Sequence, residues 1–283
     1  MKLPFNIDLK DKVCVVTGGA GILCGAMVDA LAECGAKVAI LSLGQESCDK
    51  KANEVKAKGG TAIGIDCNVL DKESLKRAHE IILREFGPCD ILINGAGGNH
   101  PKGQTTKEYL FPEDIDNNEL QTFFDLDQKG VEFVFNLNFL GTLLPSQEFS
   151  KDMINKKGAT IINISSMNAF TPLTKIPAYS GAKAAVSNFT KWLAVHMSKV
   201  GIRVNAIAPG FFVTAQNEKL LFNEDGTPTE RTAKILAATP MDRFGEAEEL
   251  IGTLLYLVCE DASSFVNGVV IPVDGAFSAY SGV

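Results

Sequence analysis

Short apolar runs alternate along the chain with longer stretches in which apolar residues return every third or fourth position, the signature of strands alternating with amphipathic helices. The first run, Lys12-Val13-Cys14-Val15-Val16, leads into Thr17-Gly18-Gly19-Ala20-Gly21. A helical face of Leu23, Met27, Leu31 and Cys34 follows, stopped by Gly35 before a second run, Lys37 to Leu41. The pattern repeats: a helix over 46–58 leads to Thr61–Asp66, and one over 72–86 leads to Asp90–Asn94. A long polar segment, about 98–118, breaks the rhythm, and loops of that length are often functional. The helical pattern that starts at about Asp116 or later and runs to Asn155 is interrupted near Gly130, so two pieces are expected. Thr160–Ile164 is the fifth strand, 179–199 a helix with Ala182, Val186, Phe189 and Leu193 on one face, and Ile202–Ala208 the sixth strand. Residues 211–239 are mixed, broken by Gly226 and Pro228, and read as a helical excursion over a site. A helix over 246–259 and a strand over 269–274 close the chain. Strand and helix in alternation predict an α/β fold, a doubly wound parallel sheet in one domain spanning 1–283.

Composition narrows the function. Apolar residues are 46% of 283 and charged residues 22%, ordinary for a globular chain. A net charge of −7, with no basic stripe, argues against a nucleic-acid partner. No apolar run reaches the roughly 18 residues of a membrane span, and Met1–Asp8 lacks a signal-peptide core, so a cytoplasmic protein is expected. Seven scattered cysteines without Cys-x-x-Cys spacing read as reduced thiols rather than a metal site. The partner expected is a small molecule.

The chemistry gathers around Ser166 and Tyr179-Ser180-Gly181-Ala182-Lys183. Tyr179 and Lys183 are four apart, so phenol and ammonium share one helical face. A phenol titrates near 10, and a cation held beside it favours phenolate, as acid/base work near neutrality requires. Ser166 follows a buried strand and stands at its carboxyl end, where open α/β sheets bind ligands. Strand, glycine turn, helix, strand over 12–41 is the unit that offers helix N-terminal amides to a pyrophosphate.

Thr17-Gly18, Asn94-Gly95-Ala96-Gly97, Asn138, Ser166, Tyr179-x-x-x-Lys183, Pro209 to Thr214 and Val273-Asp274-Gly275 stand in the order and spacing of the short-chain dehydrogenase/reductase family, which the chain resembles over nearly its whole length. The resemblance implies a seven-stranded Rossmann-type sheet, a homo-oligomer (tetramer or dimer), and hydride transfer between a nicotinamide cofactor and a secondary alcohol or ketone. It implies Tyr179 as proton donor and acceptor, Lys183 on the nicotinamide ribose and lowering the Tyr179 pKa, Ser166 on the reacting oxygen, and Asn138 holding a relay water. It places Gly18, Gly21, Ile22, Leu23, Ser42, Asn68, Val69, Asn94, Ala96, Gly97, Pro209, Gly210, Phe212 and Thr214, with Tyr179 and Lys183, around the cofactor.

One departure stands out. The family's turn is Thr-Gly-x-x-x-Gly-x-Gly, whereas the same register here gives Gly18, Ile22 and Cys24, with glycines at 19, 21 and 25. Either side chains at 22 and 24 crowd the pyrophosphate or the turn takes a shifted course. Ser42 stands where an acidic residue would select NAD, and no Arg follows to grip a 2′-phosphate, so NAD or NADP is expected with a lean to NAD.

Asn94 to Pro101, Phe135 to Thr142 and Phe277 to Val283 are similar to the D-mannonate oxidoreductase branch of that family, which implies a sugar-acid substrate. Asn99, His100, Ser166, Met167, Lys175 and Phe211 are the candidate substrate residues; the loop cation Lys175 suits a carboxylate. Gluconate-type keto acids, polyols and 3-oxoacyl substrates are alternatives with the same chemistry, and a non-catalytic nicotinamide-binding regulator is a second class. His79 and His196, inside helices, are read as packing or surface residues.

Overall fold

The computed structural model describes residues 7–213, 221–223 and 225–282. Its centre is the expected sheet: seven strands, all parallel, in the order β3-β2-β1-β4-β5-β6-β7. The strands are β1 Val13–Thr17, β2 Lys37–Ser42, β3 Thr61–Asp66, β4 Ile91–Asn94, β5 Thr160–Ile164, β6 Arg203–Pro209 and β7 Val270–Val273. Every residue of β1, β4, β5 and β6 is buried, because helices cover both faces. Alternate residues therefore enter two cores. Cys14, Val16, Val38 and Ile40 pack with α1 (Ile22–Glu33), α2 (Gln45–Ala57) and α8 (Ile251–Val258). Val13, Val15, Ala39 and Leu41 pack with α3 (Lys72–Glu85), α5 (Gly141–Phe149) and α6 (Pro177–Met197).

The order of the strands reverses direction between β1 and β4, which opens a crevice beyond their carboxyl ends. Gly18 and Gly95 face each other across it.

The helical region before β5 departs from expectation in an informative way. The first helix, α4 (Gln128–Phe135), starts well after Asp116, capped by the Asp127 carboxylate accepting from Gly130 N at 2.8 Å. Gly130 does not interrupt it. A Cβ there would lie 2.8 Å from Lys102 Cβ, so the glycine lets the insertion pack against α4. The irregularity comes later, as a π-helical turn over Asn136–Leu140 running into α5. Pro145 inside α5 cannot bond the carbonyl four residues back, and that position is Gly141. The polar insertion is built from short 3-10 turns at Pro101–Gly103, Pro112–Asp114 and Phe123–Asp125, and irregular chain continues to Asp127. In the later excursion the described helix is α7 (Glu230–Ala237), capped by Thr229. Thr214, expected at the cofactor, lies outside the described residues. No helix among them is long and apolar enough to cross a membrane.

Candidate active site

The four residues on which the chemistry was expected to rest converge at the carboxyl ends of β4 and β5. Ser166 follows β5 and caps the 3-10 turn Met167–Ala169, its Oγ accepting from Asn168 N at 3.2 Å. Pro177 occupies the first turn of α6, fixing the helix start two residues before Tyr179. One turn on, Lys183 Nζ lies 5.6 Å from the Tyr179 ring centroid and donates to Ile164 O at 2.8 Å. Tyr179 and Ser166 share a side-chain hydrogen bond. The π-turn presents Asn138, fully buried, whose Nδ2 donates to Gly98 O (2.7 Å) and Val134 O (2.8 Å) while Oδ1 accepts from Gly98 N (3.3 Å). A Cβ on Gly97 would stand 2.7 Å from Asn138 Oδ1 and 3.2 Å from Lys183 Nζ. Only glycine leaves both groups room at that point.

The electrostatics differ from the sequence expectation. Burial pushes the Tyr179 phenol up to about 12, the Ser166 hydrogen bond offsetting only part of that. Burial likewise brings Lys183 down to about 8. Within the chain alone, desolvation therefore outweighs the attraction that was expected to acidify the phenol.

The altered glycine turn has a definite solution. Gly21 caps α1, and the first intrahelical bond runs from Gly25 N to Gly21 O at 2.6 Å. The amides of Ile22, Leu23 and Cys24 precede that bond, at the positive end of the helix dipole. The amides of Gly19, Ala20 and Gly21 are used internally, on Leu41 O, Ser42 Oγ and Gly18 O. Cys24 does not crowd the crevice mouth. It is buried, its thiol pushed up to about 11 by burial, and its Sγ rests on Gly95, where any Cβ would collide with it. Thr17 Oγ1 fixes the opposite wall by accepting from Gly95 N (3.1 Å) and Ala96 N (3.2 Å). A helix N-terminus facing a glycine-lined crevice beside Lys183 fits a dinucleotide: amides for the pyrophosphate, the ammonium for the nicotinamide ribose.

The other expected residues take the following places. The Asn94 side chain turns away from the crevice, donating to Ser146 Oγ and Asn163 Oδ1, both at 2.9 Å, in a network that Asn163 extends to Thr190. Asn68 is exposed, and its Oδ1 already accepts from Leu70 N at 3.0 Å; Val69 is buried and packs at Gly141. Pro209 ends β6, Gly210 N donates to Val273 O (2.9 Å), and Phe212 is buried with its ring against Gly245. Asn99 is exposed, accepting through Oδ1 from His100 N. His100 accepts from Lys102 N at 3.2 Å through Nδ1 and lies 5.3 Å from the Phe133 ring. Met167 is buried. Lys175 and Phe211 line one cavity of about 370 Å³ together with Arg231, Lys234 and Phe277.

Residues the sequence did not single out complete the picture. Asp66, in register with Ser42, accepts from Gly44 N at 2.7 Å and so stands on the loop after β2. The Ser42 hydroxyl is the acceptor for Ala20 N rather than an acidic ribose ligand. His79 on α3 bridges Glu148 and Asp152, each at 2.8 Å, and so ties α3 to the end of α5. All seven cysteines are free thiols, and no group of three or more potential ligands among the described residues could hold a metal.

The fold and these side chains define a class: a doubly wound sheet of the kind that serves dinucleotide-dependent oxidoreductases, with serine, tyrosine and lysine gathered at its crevice. The chain belongs to the short chain dehydrogenase family, whose model matches residues 12–225. It is accordingly an NAD(P)-dependent enzyme acting on CH–OH groups. An uncharacterised oxidoreductase of Haemophilus influenzae is 59% identical over 284 residues, covering 100% of this chain and 99% of the relative. UxuB of Bacillus subtilis, also described as an uncharacterised oxidoreductase, is 52% identical over 281 residues, covering 99% and 100%. A solved structure from Haemophilus influenza, provisionally named a D-mannonate oxidoreductase and carrying bound NAD, has a TM-score of 0.94 at 59% identity, with 100% of both chains covered.

Proposed function

We propose that the enzyme interconverts a sugar acid and its keto form, D-mannonate and D-fructuronate, using NAD. The observation that carries the reading is one cluster, Asn138 and Lys183 at Gly97 with Tyr179 one turn before Lys183 and hydrogen-bonded to Ser166, on a helix whose start at Lys175 and Ile176 lines a cavity with three cations and two phenylalanines. The dinucleotide, when bound, accepts the hydride in oxidation and supplies it in reduction.

The chain's own residues handle the proton. Tyr179 takes the hydroxyl proton as the alcohol is oxidised and returns it to the oxygen in reduction. Ser166 donates to that oxygen as negative charge builds, an effect worth about 10²–10³ in rate for a single well-placed donor. Lys183 holds the ribose and keeps a positive charge next to the phenol. Asn138 orders the proton path along Gly98. The insertion, Phe211 and α7 act as the substrate walls. D-Mannonate and NAD should give the highest kcat/KM in a panel of aldonates, hexuronates, polyols and 3-oxoacyl thioesters; a 3-oxoacyl or neutral polyol optimum would refute the substrate reading.

NAD is favoured by Asp66. Its carboxylate, held over the β2–α2 loop, makes no ion pair among the described residues and would face a 2′-phosphate. Asp66→Asn keeps an oxygen for Gly44 N and removes the charge. The ratio of kcat/KM for NADP over NAD should rise about fivefold, the effect of about 1 kcal/mol between exposed charges; an unchanged ratio discards the role.

We assign the homo-oligomer interface to the α5–α6 face, where Trp192 and Val195 are 56% and 77% exposed. Trp192→Asp should lower the sedimenting mass, and a wild-type mass already equal to one chain would remove the assignment.

A further inference from the structure

We propose that Arg231 on α7, with Lys175 just ahead of α6, forms the receptor for the substrate carboxylate. The proposal rests on the sugar-acid reading above and names the residue that enforces it. The cavity of about 370 Å³ lies between the insertion, the chain leading into α6, and α7. That volume falls in the range of small-ligand sites. Three cations and two carboxylates line it.

How those five charges pair decides the argument. Lys234 on α7 takes both acids, Glu108 of the insertion at 3.0 Å and Glu230 at 3.1 Å. The first of these pairs also ties the insertion to α7 across the cavity. Arg231 and Lys175 form no ion pair among the described residues, and both are exposed to the cavity. Three positive and two negative charges leave an excess of one, which a monoanion would neutralise. A guanidinium can grip a carboxylate with two parallel N–H donors, a geometry an ammonium lacks. Phe211 and Phe277, with ring centroids 5.2 Å apart, give the apolar wall against which the C–H faces of a sugar chain can lie. Ile176, the residue that starts α6 three positions before Tyr179, lines the same cavity, so the cations flank the entry to the helix that carries the phenol.

The test compares wild type with Arg231→Gln, Lys175→Met and Arg231→Lys, assayed on hexuronates and on neutral ketoses, with NAD affinity followed by nucleotide fluorescence. Arg231→Gln should raise KM for the carboxylate substrate about tenfold or more, consistent with losing charge-assisted bonds. KM for neutral ketoses and the Kd for NAD should stay the same, and Arg231→Lys should recover part of the loss. If wild type turns over D-fructuronate and Arg231→Gln leaves its KM unchanged, the receptor is overturned while the substrate reading stands. If another carboxylate is the true substrate and shows the same dependence on Arg231, the receptor stands and D-mannonate falls. Equal shifts for charged and neutral substrates, or a wild type active only on uncharged carbonyls, overturn the receptor.

Discussion

Tyr179→Phe is expected to lower kcat by about 10²–10⁴-fold, the usual contribution of a positioned acid or base, while NAD affinity stays close to wild type. The substitution removes one hydroxyl and leaves the ring that Lys183 Nζ approaches at 5.6 Å, so the Lys183 ammonium keeps its packing. It also frees Ser166 Oγ from its bond to the phenol, though Ser166 still accepts from Asn168 N at 3.2 Å and keeps its place. The two effects separate cleanly in a kinetic experiment: kcat collapses, and the nucleotide titration does not. A Tyr179→Phe enzyme with wild-type kcat would remove the phenol from the chemistry.

The second large effect concerns the altered glycine turn. Gly95→Ala places a methyl group onto Cys24 Sγ and 2.9 Å from Thr17 O, so the two walls of the crevice must part. Overpacking of this kind costs about 1–3 kcal/mol, and here the displaced atoms include the amide of Ala96 that Thr17 Oγ1 holds at 3.2 Å. Loss of NAD binding together with a lowered Tm is the expected result. Cys24→Gly combined with Gly95→Ala should restore both, because it removes the atom in collision and puts back the glycine the family carries at that place. A double variant no better than Gly95→Ala would mean that the clash with Thr17, not Cys24, governs the site.

That pair shows what could be read in advance and what could not. Periodicity located all seven strands to within a residue or two, since burial on both faces makes β1, β4, β5 and β6 continuous apolar runs and the turn residues around them mark the edge strands β3 and β7. The spacing of Tyr179 and Lys183 fixed their shared helical face. Cys24 stood out in sequence only as a missing glycine, because the space it fills belongs to Gly95, seventy-one residues away and just past the end of β4. Asn94 was placed at the cofactor by the family resemblance. Its partner Asn163, in register on β5, turns it inward instead, and a polar residue inside the run Thr160–Ile164 was the available sign. Gly130 was read as a break, whereas it serves a close approach. The receptor cations Arg231 and Lys175 are separated by fifty-five residues, and only the Glu108–Lys234 pair, which brings the insertion to α7, reveals which charges remain for a ligand.

The balance between phenol and ammonium gives the most direct test of the central claim. With Tyr179 near 12 and Lys183 near 8 in the chain alone, oxidation should be slow at neutral pH unless the positive charge of the oxidised nicotinamide and a protonated Lys183 lower the phenol. Proton acceptance by Tyr179 requires phenolate, so oxidation must accelerate as pH rises. The measurement is kcat/KM for alcohol oxidation against pH, in wild type and in Tyr179→Phe. The account predicts a wild-type rise with an apparent pKa well below 12 and a flat, low profile for the variant. A variant that keeps the same rise would contradict it.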